Sequence, residues 1–139
     1  MKSAYRVIAG LIALGVVVQA ASVAYAVFSL SHAVDDGATL DKNSKIGDAG
    51  FIVHSLDGQV MIPLLAIALL VVSFRAGVPD GRRWAGFVFL AVAVQVALGL
   101  ISHSVPALGW LHGINALVLI FLAVYAAQLA ARTASLPID

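Results

Sequence analysis

The sequence contains no cysteine and few charged side chains. Without cysteine there is no disulfide, no thiolate metal site and no thiol chemistry, so any metal has to be bound by His, Asp, Asn or Met. Only 11% of the 139 residues are charged, and the net charge is +1. These charges are divided among the connecting segments and form no basic patch, so the sequence gives no sign of nucleic-acid binding.

Apolar residues dominate the rest of the chain. They make up 62% of it, and the mean hydropathy is +1.03, far above the range of ordinary soluble domains. Four apolar stretches are long enough to cross roughly 30 Å of hydrocarbon as helices; they cover about residues 5–30, 51–74, 84–101 and 110–131. We therefore predict an all-α fold in which residues 1–139 form a single transmembrane four-helix bundle in a lipid bilayer.

Basic side chains orient the predicted spans. Six of the eight lie on one side of the membrane: Lys2, Arg6, Arg75, Arg82, Arg83 and Arg132. Under the positive-inside rule both termini are cytoplasmic, which predicts a multi-pass protein of the inner or plasma membrane. The N-terminal stretch with SVAYA also resembles a secretory signal cleaved after Ala26. Its apolar run is longer than a usual signal core, which favours a first span.

The two halves of the chain resemble each other. The first half contains VVVQAASVAYAVFSLSH and FIVHSLDGQVMIPLLAI, which match VAVQVALGLISH and LHGINALVLIFLAV in the second half. The match pairs Gln19 with Gln95, His54 with His112, Asp57 with Asn115 and, loosely, His32 with His103. We predict an internal repeat of a helical hairpin, whose copies are related by a pseudo-two-fold axis along the membrane normal. An insertion, DDGATLDKNSKIGDAG, lengthens the outer connection of the first half.

Histidines mark the candidate site. All four lie toward the outer ends of the predicted spans, one on each helix. His54 and His112 lie about one turn inside their spans, where a polar side chain normally faces the bundle interior. Asp57 and Asn115 follow them at position +3, on the same helix face. A carboxylate or an amide there can fix the tautomer of an imidazole and raise its basicity as a ligand.

Small residues accompany both of these histidines. Gly58 and Ala116 stand at position +4, one turn further along the same face. A flat macrocycle held between two helices needs small side chains at such positions, so that its faces are not blocked. Neutral imidazoles on facing helices form the usual arrangement for a six-coordinate haem in a bundle. We therefore predict that His54 and His112 are the metal ligands of a haem.

The other two histidines are interpreted first as structural residues and not as metal ligands. His32 and His103 lie at the helix ends, where water reaches them, and are interpreted first as residues that close helix C-termini. They could instead line an access route or hydrogen-bond haem propionates. A second metal site that combines them with Asp35 or Asp36 is a further alternative.

Several mid-span residues have structural interpretations. Gln19 and Gln95 each need a partner on another helix, and contacts between helices are favoured over contacts to a ligand. Pro63 removes one helical hydrogen bond and should bend the second span. Small residues are expected to allow close helix packing: Gly10, Gly15, Ala20, Ala91 and Gly99.

Two motifs carry a resemblance to a known family. VQVALGLISHSVP followed by LHGINA resembles the third and fourth spans of one half of a heme A synthase, in which each half is a four-helix bundle with a histidine on its second and fourth spans. HSLDG, from His54 to Gly58, is similar to the second-span pattern of that family. The resemblance implies that His54 and His112 are the axial ligands of one haem b. Nearly all of the chain is also similar to small four-span bacterial membrane proteins of unassigned function.

The chain departs from this family at two positions. The catalytic half of a heme A synthase has an acidic residue three positions before the second-span histidine and an arginine directly after it. Phe51 and Ser55 occupy those positions here. The resemblance therefore favours a cofactor-binding role over an oxidising one.

Three functions of different class are compatible with these residues. The leading hypothesis is a b-type haem-binding protein with bis-histidine ligation near the extracytoplasmic side, which transfers electrons to a redox partner or handles haem and is more a cofactor-binding protein than a catalyst. The second is a non-enzymatic structural or assembly subunit of a larger membrane complex. The third is a metal-ion or proton transporter with Asp57 as a relay, which has least support because no ionisable residue continues the path. A homo-oligomer is a further prediction.

Overall fold

The computed structural model describes residues 1–134 of the chain. Four long helices make up most of this part: Lys2–Asp35, Asp48–Ser73, Gly81–Ser102 and Gly109–Ala134. Residues 1–134 contain no strand. All four helices are long and apolar enough to cross a membrane, so the predicted all-α fold of four membrane spans is confirmed. Residues 135–139 of the predicted single domain lie outside the described residues.

The helices are longer than the apolar stretches that predicted them. The first helix continues through polar residues to Asp35, and the second begins at Asp48. Residues 36–47 connect these helices without regular secondary structure. Gly37 and Gly47 adopt positive φ angles of 86° and 80° in this connection, a conformation that favours glycine. Hydropathy predicts only the apolar part of a helix that lipid can cover. It does not detect polar helical turns beyond that part.

Each helix packs against two neighbours around the bundle. The first and third helices both contact the second and the fourth, so the second and fourth helices lie on one diagonal. An apolar core fills the half of the bundle nearest the N-terminus. Its largest fully buried side chains are Tyr5, Ile12, Leu69, Leu119 and Val88. The Tyr5 hydroxyl donates a hydrogen bond of 2.9 Å to the Gly81 carbonyl, which joins the starts of the first and third helices.

The second helix contains a π-helical turn, Asp57–Met61, shortly before Pro63. Proline has no N–H and cannot complete the regular hydrogen-bond ladder of an α-helix, and a wider turn is one way to accommodate it. A bend is predicted at Pro63, and the structure shows this change of helix type just before it. Asp57 and Gly58 therefore lie in the π-helical turn, directly after the α-helical segment that carries His54.

The first two helices approach each other closely near the connection. A Cβ atom at Gly50 would overlap the Ser22 carbonyl oxygen and lie 2.9 Å from the Cβ of Ala26. At Gly47 a Cβ would lie 2.8 Å from the Ala26 carbonyl oxygen. The tightest contact between these helices thus depends on Gly47 and Gly50. Of the small residues predicted to allow close packing, Gly15 does so, since an added Cβ there would lie 2.9 Å from Cγ1 of Ile62, whereas an added Cβ at Gly10 meets no atom within 4 Å.

Candidate functional site

His54 and His112 face each other across the bundle. They lie on the diagonally placed second and fourth helices, and their ring centroids are 6.3 Å apart with 56° between the ring planes. Both residues are partly buried. Two imidazoles that bind one iron from opposite sides, with Fe–N bonds of roughly 2 Å, hold their centroids roughly 6 Å apart. The observed separation therefore suits two ligands of a single metal ion.

A glutamine backbone carbonyl on a neighbouring helix holds each imidazole. Nδ1 of His54 lies 3.2 Å from the Gln19 carbonyl oxygen, and Nδ1 of His112 lies 3.1 Å from the Gln95 carbonyl oxygen. Because a carbonyl oxygen only accepts hydrogen bonds, each neutral ring carries its proton on Nδ1. Each Nε2 then has the lone pair with which a neutral histidine binds a metal.

Asp57 and Asn115 contact the two glutamines. Nε2 of Gln19 donates to Oδ2 of Asp57 at 3.1 Å, and Nδ2 of Asn115 donates to Oε1 of Gln95 at 2.6 Å. Position +3 predicts that these residues can fix the imidazole tautomers, and in the structure both side chains bond to a glutamine instead. Their side chains reach the amide of the neighbouring helix, while the tautomer is set by the backbone of the same glutamines.

Gln19 and Gln95 bond between helices, as predicted. Gln19 joins the first helix to the second, and Gln95 joins the third to the fourth. Gln95 makes one contact that sequence reasoning missed, because its Nε2 lies 3.1 Å from Nε2 of His112. The pairing of the two glutamines in the predicted repeat was the signal that could have placed them at the site.

Small residues leave room within this polar cluster. A Cβ at Gly58 would lie 2.9 Å from Oε1 of Gln19, so Gly58 makes space for the glutamine amide. At Gly99 a Cβ would lie 3.2 Å from Cε1 of His112. The sequence analysis assigns Gly99 to general helix packing, whereas in the structure it lies against a candidate ligand. Ala116 lines the larger of the two cavities beside the histidines.

Two cavities meet at the histidine pair. The larger has a volume of about 380 Å³ and is lined mainly by the first and fourth helices. The smaller, of about 100 Å³, is lined mainly by the second and third helices. They share six lining residues: Gln19, His54, Gly58, Gln95, Val96 and His112. A mostly apolar cavity of roughly 300–1,000 Å³ with a few convergent polar groups is typical of a small-molecule site.

The other two histidines differ in position. His103 lines the smaller cavity together with the central pair. His32 lines neither cavity, and its side chain is 80% exposed, with Nε2 3.6 Å from Oδ2 of Asp36. Within residues 1–134 no group of three or more His, Cys, Asp or Glu side chains could hold a metal ion. The alternative second metal site with Asp35 or Asp36 is therefore not formed.

Comparisons with family models, curated proteins and solved structures find no match for this chain. The resemblance to one half of heme A synthase stays a prediction that depends on the motifs quoted above.

The donor set and the space at this site fit a haem, with one opposing contact. Two imidazoles on opposite helices lie with their ring centroids 6.3 Å apart, and cavities flank them on both sides, where a planar macrocycle has to extend. The opposing contact is the Gln95 amide, which donates to the lone pair of His112 Nε2. That amide has to turn away before His112 can bind iron.

Proposed function

We propose that the chain is a membrane b-type haem-binding protein in which His54 and His112 ligate one haem from opposite sides. The observation that carries this proposal is the separation of 6.3 Å between the two ring centroids on diagonal helices. The hydrogen bonds at both Nδ1 atoms support it, because they leave Nε2 as the metal-binding atom. The mostly apolar cavities beside the pair supply the space.

A bound haem would supply one-electron redox chemistry at its iron. His54 and His112 would hold this group from facing helices, and we propose that the site serves electron transfer or haem handling rather than catalysis. The walls of the larger cavity are mostly apolar. His103, beside the smaller cavity, is the candidate partner of a propionate. An electron-transfer role would require a redox partner or a larger membrane complex.

An absorption spectrum tests the proposal. Detergent-purified protein supplied with haem should show a Soret band and split α and β bands after reduction, because two imidazoles produce a low-spin iron. His54→Ala or His112→Ala should abolish these low-spin bands. The matched control is His32→Ala, which removes an exposed histidine outside both cavities and should leave the spectrum intact. A protein that stays colourless after haem supply contradicts the proposal.

A second function, that of a non-enzymatic structural or assembly subunit, is favoured by the hydrogen bonding of the buried polar groups. No buried side-chain nitrogen or oxygen in the described residues lacks a partner. In this function His54 and His112 only complete a polar network, and Gln95 stays on His112. This function would be indicated by a colourless, stable bundle that copurifies with a larger complex.

The transport hypothesis gains no support, because the core between Asp57 and the end of the bundle that holds the chain termini is apolar.

We further propose that this bundle lies in the inner or plasma membrane with both termini in the cytoplasm. The six basic residues near the termini, in the connection between the second and third helices and in the first turn of the third helix support this orientation. The histidine pair lies toward the opposite end of the helices, which places the proposed haem near the extracytoplasmic side.

A further inference from the structure

The two histidines differ in what contacts their Nε2 atoms. Nε2 of His112 is 3.1 Å from Nε2 of Gln95. Nε2 of His54 has no hydrogen-bond partner among residues 1–134, since its ring is held through Nδ1 alone. The two candidate ligands are therefore unequal, although they occupy matching positions in the predicted repeat.

Fixed acceptors explain why the Gln95 amide faces His112. Nδ2 of Asn115 donates to the Ala91 carbonyl at 2.9 Å and to Oε1 of Gln95 at 2.6 Å. Because the backbone carbonyl can only accept, the NH₂ group of Asn115 has to lie on this side, and it turns the oxygen of Gln95 toward itself. The NH₂ group of Gln95 then points to His112, where Nε2 is the acceptor.

The Gln19 amide makes two hydrogen bonds that do not involve Nε2 of His54. Its Nε2 donates to the His54 carbonyl at 2.7 Å and to Oδ2 of Asp57 at 3.1 Å. An NH₂ group has two hydrogens, and these two bonds use both of them. No hydrogen remains for Nε2 of His54, so its lone pair stays available.

The difference between the halves comes from one pair of residues. Asp57 offers only oxygen atoms and attracts the NH₂ group of Gln19, whereas Asn115 offers an NH₂ group and attracts the oxygen of Gln95. The residue at position +3, an aspartate in one half and an asparagine in the other, thus determines whether the NH₂ group or the oxygen of the neighbouring glutamine faces it. In the second half the NH₂ group of Gln95 consequently faces Nε2 of His112, whereas in the first half Nε2 of His54 has no such contact.

We propose that Gln95 blocks Nε2 of His112, so that ligation begins at His54 and is completed at His112 only after the Gln95 amide has turned away. This order rests on the proposed haem-binding function. Gln95 is in this account a positioning residue, which controls when the second ligand becomes available. Gln19 has no such effect on His54.

Acylation of the haem-free full chain by diethyl pyrocarbonate tests the block without a cofactor. The reagent attacks the unprotonated imidazole nitrogen, and mass spectrometry reports each histidine separately. In the natural chain His54 should react faster than His112. Gln95→Leu should speed the reaction of His112 by roughly 2- to 10-fold, the range that one neutral hydrogen bond can account for. Leu has a similar size and leaves the backbone contact to Nδ1 in place.

The exchange at position +3 supplies the matched variants. Asn115→Asp should speed acylation of His112, and Asp57→Asn should slow acylation of His54. The exposed His32 reports whether each variant keeps the same reagent activity. Equal rates for His54 and His112 in the natural chain, or an unchanged His112 rate in Gln95→Leu, would overturn the block.

Stopped-flow mixing with hemin tests the order of ligation. The natural chain should show a first phase of attachment and a slower second phase in which the low-spin spectrum forms. Gln95→Leu should speed the second phase by roughly 2- to 10-fold, whereas Gln19→Leu should not. If the natural chain forms no low-spin spectrum, the proposed haem-binding function is contradicted. The acylation rates of His112 then still show whether Gln95 covers its Nε2. A low-spin spectrum whose second phase is unchanged in Gln95→Leu overturns the order alone.

Discussion

Individual hydrogen bonds determine which ring nitrogen of each histidine is available to bind a metal. Backbone carbonyls of Gln19 and Gln95 hold both Nδ1 atoms, and no side-chain substitution at those positions removes these acceptors. The side chain of Gln95 also contacts Nε2 of His112, whereas the Gln19 amide donates to the His54 backbone carbonyl and does not contact Nε2 of His54. Gln95 thus acts on its histidine twice, once through its backbone and once through its amide.

Gly99 provides a prediction at the residue scale. Gly99→Val should weaken haem retention by roughly 5- to 150-fold, because overpacking of a close contact costs about 1–3 kcal/mol and the added side chain would press on the His112 ring. Haem titration in detergent measures the change. Gly86→Val is the control on the same helix, since a Cβ at Gly86 has no atom within 4 Å. Equal haem affinity in the two variants would show that Gly99 does not limit the His112 ring.

The sequence predicts the histidine pair but only part of its surroundings. Helical spacing places His54 and His112 at equivalent depths and assigns their +3 and +4 neighbours to the same face, which brings them to the site. Spacing along one helix carries no information about which atom of a neighbouring helix comes nearest. The contact between Gln95 and His112 therefore emerges only from the packed structure, as does the role of Gly99.

At the scale of the helix, hydropathy predicts the four spans and misses their details. It cannot distinguish a π-helical turn from an α-helical one, because it depends on residue type and not on the hydrogen-bond pattern of the backbone. Pro63 signals an irregularity in the second helix, and the structure shows where it is accommodated, at Asp57–Met61. The turn begins directly after the α-helical segment that carries His54.

The contact between the first and second helices gives a prediction about stability. Gly50→Ala should lower the free energy of unfolding by about 1–3 kcal/mol, the usual cost of overpacking, because even one methyl group would overlap the Ser22 carbonyl. Gly10→Ala, where an added Cβ meets no atom within 4 Å, should instead stabilise the first helix by roughly 0.5–1 kcal/mol. Reversible unfolding in mixed detergent measures both. A neutral Gly50→Ala would argue against the close approach of these helices.

Across the whole molecule, the bundle divides into two parts with different composition. The half near the termini is a tightly packed apolar core, and the other half holds the polar cluster and its cavities. The paired glutamines, histidines and +3 residues fit a duplicated hairpin, and that repeat stays a prediction. The difference between Asp57 and Asn115 makes the two halves chemically unequal.

The proposed orientation is testable on the intact protein. Epitope tags added separately to the N-terminus and the C-terminus should both be reached by antibody only after the cells have been permeabilised. A tag in the connection at residues 36–47 should be reached from outside. The reason is the excess of basic residues on the terminal side. Access to a terminal tag from outside in intact cells would reverse the assignment.

Pulsed electron paramagnetic resonance of the ferric protein, prepared with ¹⁵N-labelled histidine and supplied with haem, tests bis-histidine ligation most directly. The hyperfine couplings count the histidine nitrogens bound to iron. Bis-histidine ligation predicts two in the natural chain and the loss of this two-nitrogen signal in His54→Ala and in His112→Ala. Fewer than two coupled histidine nitrogens in the natural chain, or two that persist in either variant, would contradict it.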